Sequence, residues 1–281
     1  MTEARKYYED AMSLFRDNPV INWHEHVWAT SGFGRSGVQL NEDMLQKLVY
    51  AGERTHTDKF LISLPITSSQ FVTPEEFKAA NDLVIEAVNR YPDLFVGMCF
   101  VNPGYQKEML YEIERCYEAG FAGVKLYHQY RFDDPAQFPL IEKCIELDMP
   151  VLMHAGKLTV GPESQPRLSG SEMFAAVAKR YPEASLIMAH ITGGGDWHWQ
   201  LKGMEKCPNV VLDISGSVID APAIEESVRR LGAERVLFGT DGSTAAGVGK
   251  LLAADISIED KKTILAGTAY KRFIDKALSR R

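Results

Sequence analysis

The 281-residue chain lacks most of what would staple or anchor a protein. Its four cysteines, Cys99, Cys116, Cys144 and Cys207, are widely spaced, with no Cys-x-x-Cys pair among them. Apolar neighbours flank each one, which argues against a disulfide framework or a local thiolate metal site and leaves buried free thiols as the reading. No apolar run reaches the roughly 18 residues of a membrane span, so no membrane role is expected. The opening stretch MTEARKYYEDAMSLFRDNP interleaves charges with Tyr8, Met12, Leu14 and Phe15. It reads as a short amphipathic helix rather than a signal-peptide core, and a cytoplasmic location is the expectation. Positive charge is also short: 31 Lys and Arg against 38 Asp and Glu leave a net charge of -7. Without a basic stripe there is no field to draw nucleic acid. The first candidate strand is not followed by a glycine-rich dinucleotide fingerprint, which weighs against a doubly wound open sheet.

What the chain does have is a repeat of strand and helix signals. Runs rich in Val, Ile, Leu and Phe at 20–24, 59–64, 94–101, 122–127, 150–154, 185–190, 209–213 and 235–240 recur about every thirty residues. Helical periodicity fills the gaps, as in PEEFKAANDLVIEAVNRYP, where Phe77, Leu83, Val84, Ala87 and Val88 form one stripe and Pro74 suits a first turn. Connections into strands are short and those out of strands are long, so consecutive strands lie parallel and the variable loops gather at the carboxyl ends. The pattern predicts one domain over residues 1–281, a (β/α)8 TIM barrel with an extra N-terminal helix.

Ionisable residues end several of these strands. In NWHEH the period of two sends His24 and His26 to one side and Glu25 to the other. His154 and His190 close PVLMHAG and LIMAH, and Asp241 closes VLFGTD, where an unpaired carboxylate would be costly without a cation or donors. A barrel brings such residues together in space, whereas a zinc finger gathers its ligands locally. Lys125, between Val124 and Leu126, points opposite to both, and three roles fit it: holding a substrate oxyanion, bridging two metals as a carbamate, or pairing with a carboxylate. His128, Arg131, Lys157 and Arg167 stand in loops where they could grip an anion. Gly193, Gly194 and Gly195 with Trp197 and Trp199 could form a loop with aromatic walls. His56 precedes the second strand on the opposite face and reads as structural.

With those residues placed, the chain resembles the amidohydrolase superfamily, in particular its amidohydrolase-related (amidohydrolase 2) branch, which includes the aminocarboxymuconate-semialdehyde decarboxylase relatives. The carriers are NWHEH, GFAGVKL with DDPAQFPL, MPVLMHAG, MAHITGG, VLFGTD and the closing AGTAYKRFI, over nearly the whole chain. The resemblance implies that His24, His26 and His154 bind a metal, that Asp241 binds it or takes a proton from its water, and that His190 polarises substrate or transfers a proton; from their strand and loop positions, Lys125, Tyr127, His128, Arg131 and Trp197 are the expected substrate contacts. Two positions depart from the family pattern: Asn22 stands where Asp usually begins the first motif, and Tyr127 where a histidine often follows the strand-four Lys-Leu.

The expected function is metal-dependent hydrolysis of a small anionic lactone, ester or amide by a metal-activated water. A nonoxidative decarboxylase of a small aromatic or unsaturated acid is the alternative on the same site. A noncatalytic metal-binding barrel is the third reading. One divalent ion is expected, zinc first, with manganese, iron or cobalt also suited to imidazole and carboxylate, and a second ion on carbamylated Lys125 less favoured. The expected partner is a small molecule, with a homodimer as the assembly.

Overall fold

The computed structural model describes residues 2–33, 37–156, 165, 167–192, 196–216 and 222–281. Eight strands run β1 (Ile21–His26), β2 (Lys59–Ser63), β3 (Phe95–Phe100), β4 (Gly123–Leu126), β5 (Val151–Met153), β6 (Leu186–Met188), β7 (Val210–Asp213) and β8 (Val236–Leu237). Each pairs in parallel with the next in chain order. Trp23 N donates to Phe238 O at 2.8 Å and Thr240 N to His24 O at 3.1 Å, which closes β8 against β1. The architecture is the (β/α)8 barrel that the strand spacing predicts. Its last strand is shorter than 235–240, because beyond Leu237 the chain bonds outward to Ile264 O and then to His24 O.

The helices are α1 (Glu3–Arg16), α2 (Glu42–Thr55), α3 (Pro74–Arg90), α4 (Gln106–Glu118), α5 (Phe138–Leu147) and α6 (Ser171–Arg180). They continue with α7 (Trp197–Leu201), α8 (Ala223–Leu231), α9 (Thr244–Ala253), α10 (Ile258–Ala266) and α11 (Lys271–Leu278). The start of α3 shows why the sequence signal was readable: Thr73 accepts from Glu76 N, the Glu76 carboxylate accepts from Thr73 N, and Pro74 fills the first turn. Its apolar stripe is buried, as predicted. His56 ends α2 in the left-handed conformation, φ 51°, which bears out its structural reading.

Strand alternation divides the core in two. Outward-facing residues such as Phe60, Phe95, Val124 and Leu212 pack under the helices. Inward-facing Ile21, Trp23, Leu61, Val96, Leu152, Ile187, Val211 and Leu237 fill the cylinder. Tyr270, Phe273, Ile274 and Ala277, on and just before α11, join this inner cluster. Arg280 and Lys276 beside them donate to Phe121 O and Leu147 O, just ahead of β4 and β5. The C-terminal helix therefore stoppers the amino ends of the strands and leaves the carboxyl ends as the open face. All four cysteines are buried free thiols, as expected.

Candidate metal centre

β1 delivers both of its histidines to the open face. His24 is fully buried, and its Nδ1 donates to Asp213 Oδ2 at 2.8 Å. That bond places the unprotonated Nε2 toward the barrel axis, the arrangement a metal-ligating imidazole needs. His26 Nε2 lies 2.9 Å from Asp241 Oδ1, and its Nδ1 is 3.1 Å from Ser63 Oγ. His24 Nε2 is 3.7 Å from the same Asp241 oxygen. Ligand atoms of His24, His26 and Asp241 therefore lie within 4.8 Å of one another. Lone pairs of two imidazoles and a carboxylate aimed at one small volume repel unless a cation or protons sit among them. This donor set fits a divalent metal site.

Glycine and backbone strain shape this end of the barrel. A Cβ on Gly239 would come within 3.0 Å of the His24 Cβ and 3.4 Å of the Asp213 side chain, so glycine lets the chain after β8 close over β1 without displacing either. His190 and Asp241 both adopt positive φ, 64° and 49°. The other two such non-glycine residues among those described, His56 and Asp148, end helices. Left-handed backbone costs about 1–2 kcal/mol per residue, so its presence at two strand ends of one site indicates that side-chain aim outweighs local ease. Glu25, on the other side of β1, is also buried and ties the strand to the chain after β8, accepting from His26 N at 2.9 Å, Thr240 Oγ1 at 2.5 Å and Gly242 N at 2.6 Å. Asn22 donates to Thr240 Oγ1 at 2.6 Å and accepts from His24 N at 3.1 Å, so it supports the first motif in the place of the usual Asp.

Lys125 points inward as alternation predicts, in register with Leu152 of the inner core. Its Nζ is fully buried and lies 2.7 Å from His24 Nε2. Burial lowers its pKa to about 8, with Asp241 and Asp213 pulling the other way. The same burial lowers His24, helped by Lys125, and takes His190 to about 3. Desolvation alone would raise Asp213 and Asp241, but the surrounding imidazoles, His24 foremost, hold both below the usual carboxylate range. The site thus carries ionised carboxylates beside the neutral imidazoles of His24 and His190.

Not every expected residue meets the cluster. His190 reaches it, with Nδ1 3.6 Å from Asp241 Oδ2. His154 stands one ring further away: its Nδ1 is 2.8 Å from His190 Nε2 and its Nε2 is 2.9 Å from Gln165 Oε1. Tyr127 is half-buried, stacks 4.1 Å from the His154 ring and receives a hydrogen bond from Gln165 Nε2 at 3.1 Å. His128 is buried beside Tyr127, 4.6 Å between rings. Arg131 is exposed and paired with Asp133, Arg167 lies over the Tyr130 ring, and Trp197 is buried at the start of α7 against His198. Lys157, Gly193, Gly194 and Gly195 lie outside the described residues. Asp213 and Ser215, at and just after the end of β7, are functional candidates missed at the level of sequence. The signal for Asp213 was the same as for Asp241, an acid closing an apolar strand. A cleft of about 400 Å³ opens beside His26, with Trp28, Met44, Lys47 and Tyr50 in its wall.

Comparison with known proteins agrees with this geometry. The family model described as Amidohydrolase (Amidohydro_2) matches residues 21–273, and the chain belongs to that family. It is 24% identical over 257 residues to a 2-amino-3-carboxymuconate-6-semialdehyde decarboxylase of Dictyostelium discoideum, covering 75% of this chain and 71% of that protein. It is likewise 24% identical over 258 residues to a 2-keto-4-carboxy-3-hexenedioate hydratase of a Sphingobium strain, covering 74% of each. Among solved structures, a 5-carboxyvanillate decarboxylase from Novosphingobium aromaticivorans, complexed with manganese and 4-hydroxy-3-methoxy-5-nitrobenzoic acid, superposes with a TM-score of 0.69. That match has 20% identity and covers 92% of this chain and 96% of the other. The chain is an enzyme-family barrel with a divalent-metal type of site.

Proposed function

We propose that the protein is a metal-dependent lyase that removes carbon dioxide, without oxidation, from a small aromatic or unsaturated carboxylic acid. The observation that carries this reading is the fully buried Lys125 ammonium beside the cluster of His24, His26 and Asp241. Two positive centres next to one another in a water-poor mouth suit a carboxylate with a neighbouring oxygen. His24, His26 and Asp241 are the residues that would hold the ion, with His154 as a further ligand that the family resemblance implies. When bound, the ion supplies charge to anchor the substrate's oxygens. Zinc suits a donor set of imidazoles and one carboxylate, while the manganese of a structural relative makes that ion an equal candidate.

Lys125 would hold the substrate oxyanion, and the apolar inner wall would keep water from solvating the acid, so that loss of charge as carbon dioxide leaves is favoured. As the carbon–carbon bond breaks, its electron pair stays on the substrate carbon, which takes up one proton. Asp241 and His190, 3.6 Å apart, are the groups placed to carry that proton. At neutral pH Asp241 is ionised and His190 is a neutral imidazole. The proton they return would therefore first be taken from substrate, for example from a hydroxyl next to the carboxylate. Tyr127 and His128 would line the pocket. Arg131, paired with Asp133, and Trp197, at the start of α7, are the further substrate contacts expected from their loops.

Addition of water remains the second reading, favoured by the hydratase among the relatives and by the same Asp241, which could take a proton from water instead. Protein loaded with zinc or manganese would be incubated with hydroxybenzoates, unsaturated dicarboxylates and lactones while carbon dioxide release and ring opening are followed. Carbon dioxide from an acid supports the lyase. Ring opening or hydration with no carbon dioxide from any acid overturns it.

A further inference from the structure

Six side chains form one continuous hydrogen-bonded line through the site. Tyr127 meets Gln165 at 3.1 Å and Gln165 meets His154 at 2.9 Å. His154 meets His190 at 2.8 Å, and His190 Nδ1 meets Ser215 Oγ at 2.8 Å. Ser215 Oγ then makes a short hydrogen bond to Asp213 Oδ1. A neutral imidazole has one N–H and a hydroxyl has one O–H, so each link can be donated from one side only. The direction of a single link fixes all the others.

Asp213 sets that direction. Its Oδ1 accepts from Ser215 N at 2.8 Å and from His190 N at 3.2 Å, and its Oδ2 accepts from His24 Nδ1. A side chain surrounded by donors is an acceptor-only carboxylate, so the Ser215 hydroxyl spends its hydrogen on Asp213. Ser215 Oγ is then an acceptor toward His190, whose Nδ1 must carry the proton. The opposite direction would have Ser215 donate to His190 and would leave oxygen lone pairs of Ser215 and Asp213 facing one another.

We propose that Ser215 is a positioning residue: oriented by Asp213, it fixes His190 as the Nδ1–H tautomer and, through it, His154 as the Nδ1–H tautomer. His190 then presents Nε2 as an acceptor, to which His154 Nδ1 donates. His154 is left with an Nε2 lone pair, the form that a ligand role for this residue requires. The same direction turns the Gln165 amide end for end, so that its nitrogen donates to His154 and its oxygen accepts from Tyr127, a rotation that keeps both contacts. The assignment deepens the lyase reading by placing the ring proton of His190 on Nδ1, the nitrogen that faces Asp241, and it stands apart from which reaction is catalysed.

Nitrogen-15 spectra of histidine-labelled full-length protein, before and after addition of zinc, distinguish protonated from unprotonated ring nitrogens. His190→Gln serves only to assign the His190 signals. The expected result is a protonated Nδ1 and a bare Nε2 for His190 in the unaltered protein. That pattern is lost to a mixture of tautomers in Ser215→Ala and restored in Ser215→Thr, which keeps the hydroxyl. A bare Nδ1 in the unaltered protein overturns the proposal even if Ser215→Ala fails to fold. So does an unchanged pattern in a folded Ser215→Ala. Because the spectrum reads the tautomer whether or not carbon dioxide is released, failure here and failure of the lyase reading are separate results.

Discussion

Replacing Asp213 by Asn removes one charge and exchanges one acceptor for one donor at a buried position. The backbone N–H groups of Ser215 and His190 both point at Oδ1, so the amide oxygen stays there and the NH2 group takes the place of Oδ2. It then faces His24 Nδ1, which has been donating at 2.8 Å. Two donors cannot share that contact, so His24 must shift its proton to Nε2. The lone pair that the cluster offers a metal is lost, and the new N–H faces the Lys125 ammonium 2.7 Å away, a second donor. Loss of an outer partner of this kind typically lowers metal affinity about 10–100-fold, which corresponds to roughly 1.4–2.7 kcal/mol. Competition with a chromophoric chelator for zinc and for manganese reads the change directly. An Asp213→Asn protein that is folded by circular dichroism yet binds both ions within about threefold of the unaltered protein would refute the tautomer argument, because that lies well short of the usual outer-partner loss.

Four further outcomes are expected. His26→Ala removes one of the three converging ligands, so both the bound ion in native mass spectrometry and turnover should disappear, while the barrel, whose core this residue does not join, stays folded. Metal affinity should rise as pH increases toward about 8, because the ion and a protonated Lys125 compete for His24 Nε2; calorimetric titration should show this slope flatten in Lys125→Met. His24 and His190 are held neutral by burial, so their folded pKa values lie below the unfolded one. The unfolded chain therefore binds more protons below about pH 6.5, and each of the two groups removes up to about 1.4 kcal/mol of stability per pH unit on acidification, a loss that urea titrations of metal-free protein at pH 7 and below should register. His56→Gly should raise the melting temperature through relief of about 1 kcal/mol of left-handed strain at the exposed end of α2, with metal binding unchanged; a lower melting temperature would contradict that account.

The barrel was legible because its strands are nearly all apolar and its turns are short, features that depend on local chemistry. The β1 pair was legible for a similar reason, since a period of two is a property of any strand. The distance between His154 and the cluster was not legible, because it depends on which way a ring swings and on Gln165, a neutral residue in a long loop. Asp213 went unread although it closes an apolar strand as Asp241 does; a carboxylate whose task is to orient another side chain has no spacing signature. Ser215 had still less to mark it, as a hydroxyl becomes informative only when its neighbours are known. Arg131 shows the converse: a cation in the right loop found a carboxylate two residues away and turned to solvent.

The stopper formed by α11 shuts one end of the cylinder, so among the described residues its doorway is the other end. Whatever enters at the carboxyl ends of the strands must leave past the same residues, since Tyr270, Phe273 and Ile274 occupy the opposite exit. A reaction that splits one molecule into two then imposes an order on departure. The smaller fragment can slip past its sibling, whereas the larger one blocks the next arrival until it has gone, so turnover would be governed by how readily the bulkier half lets go.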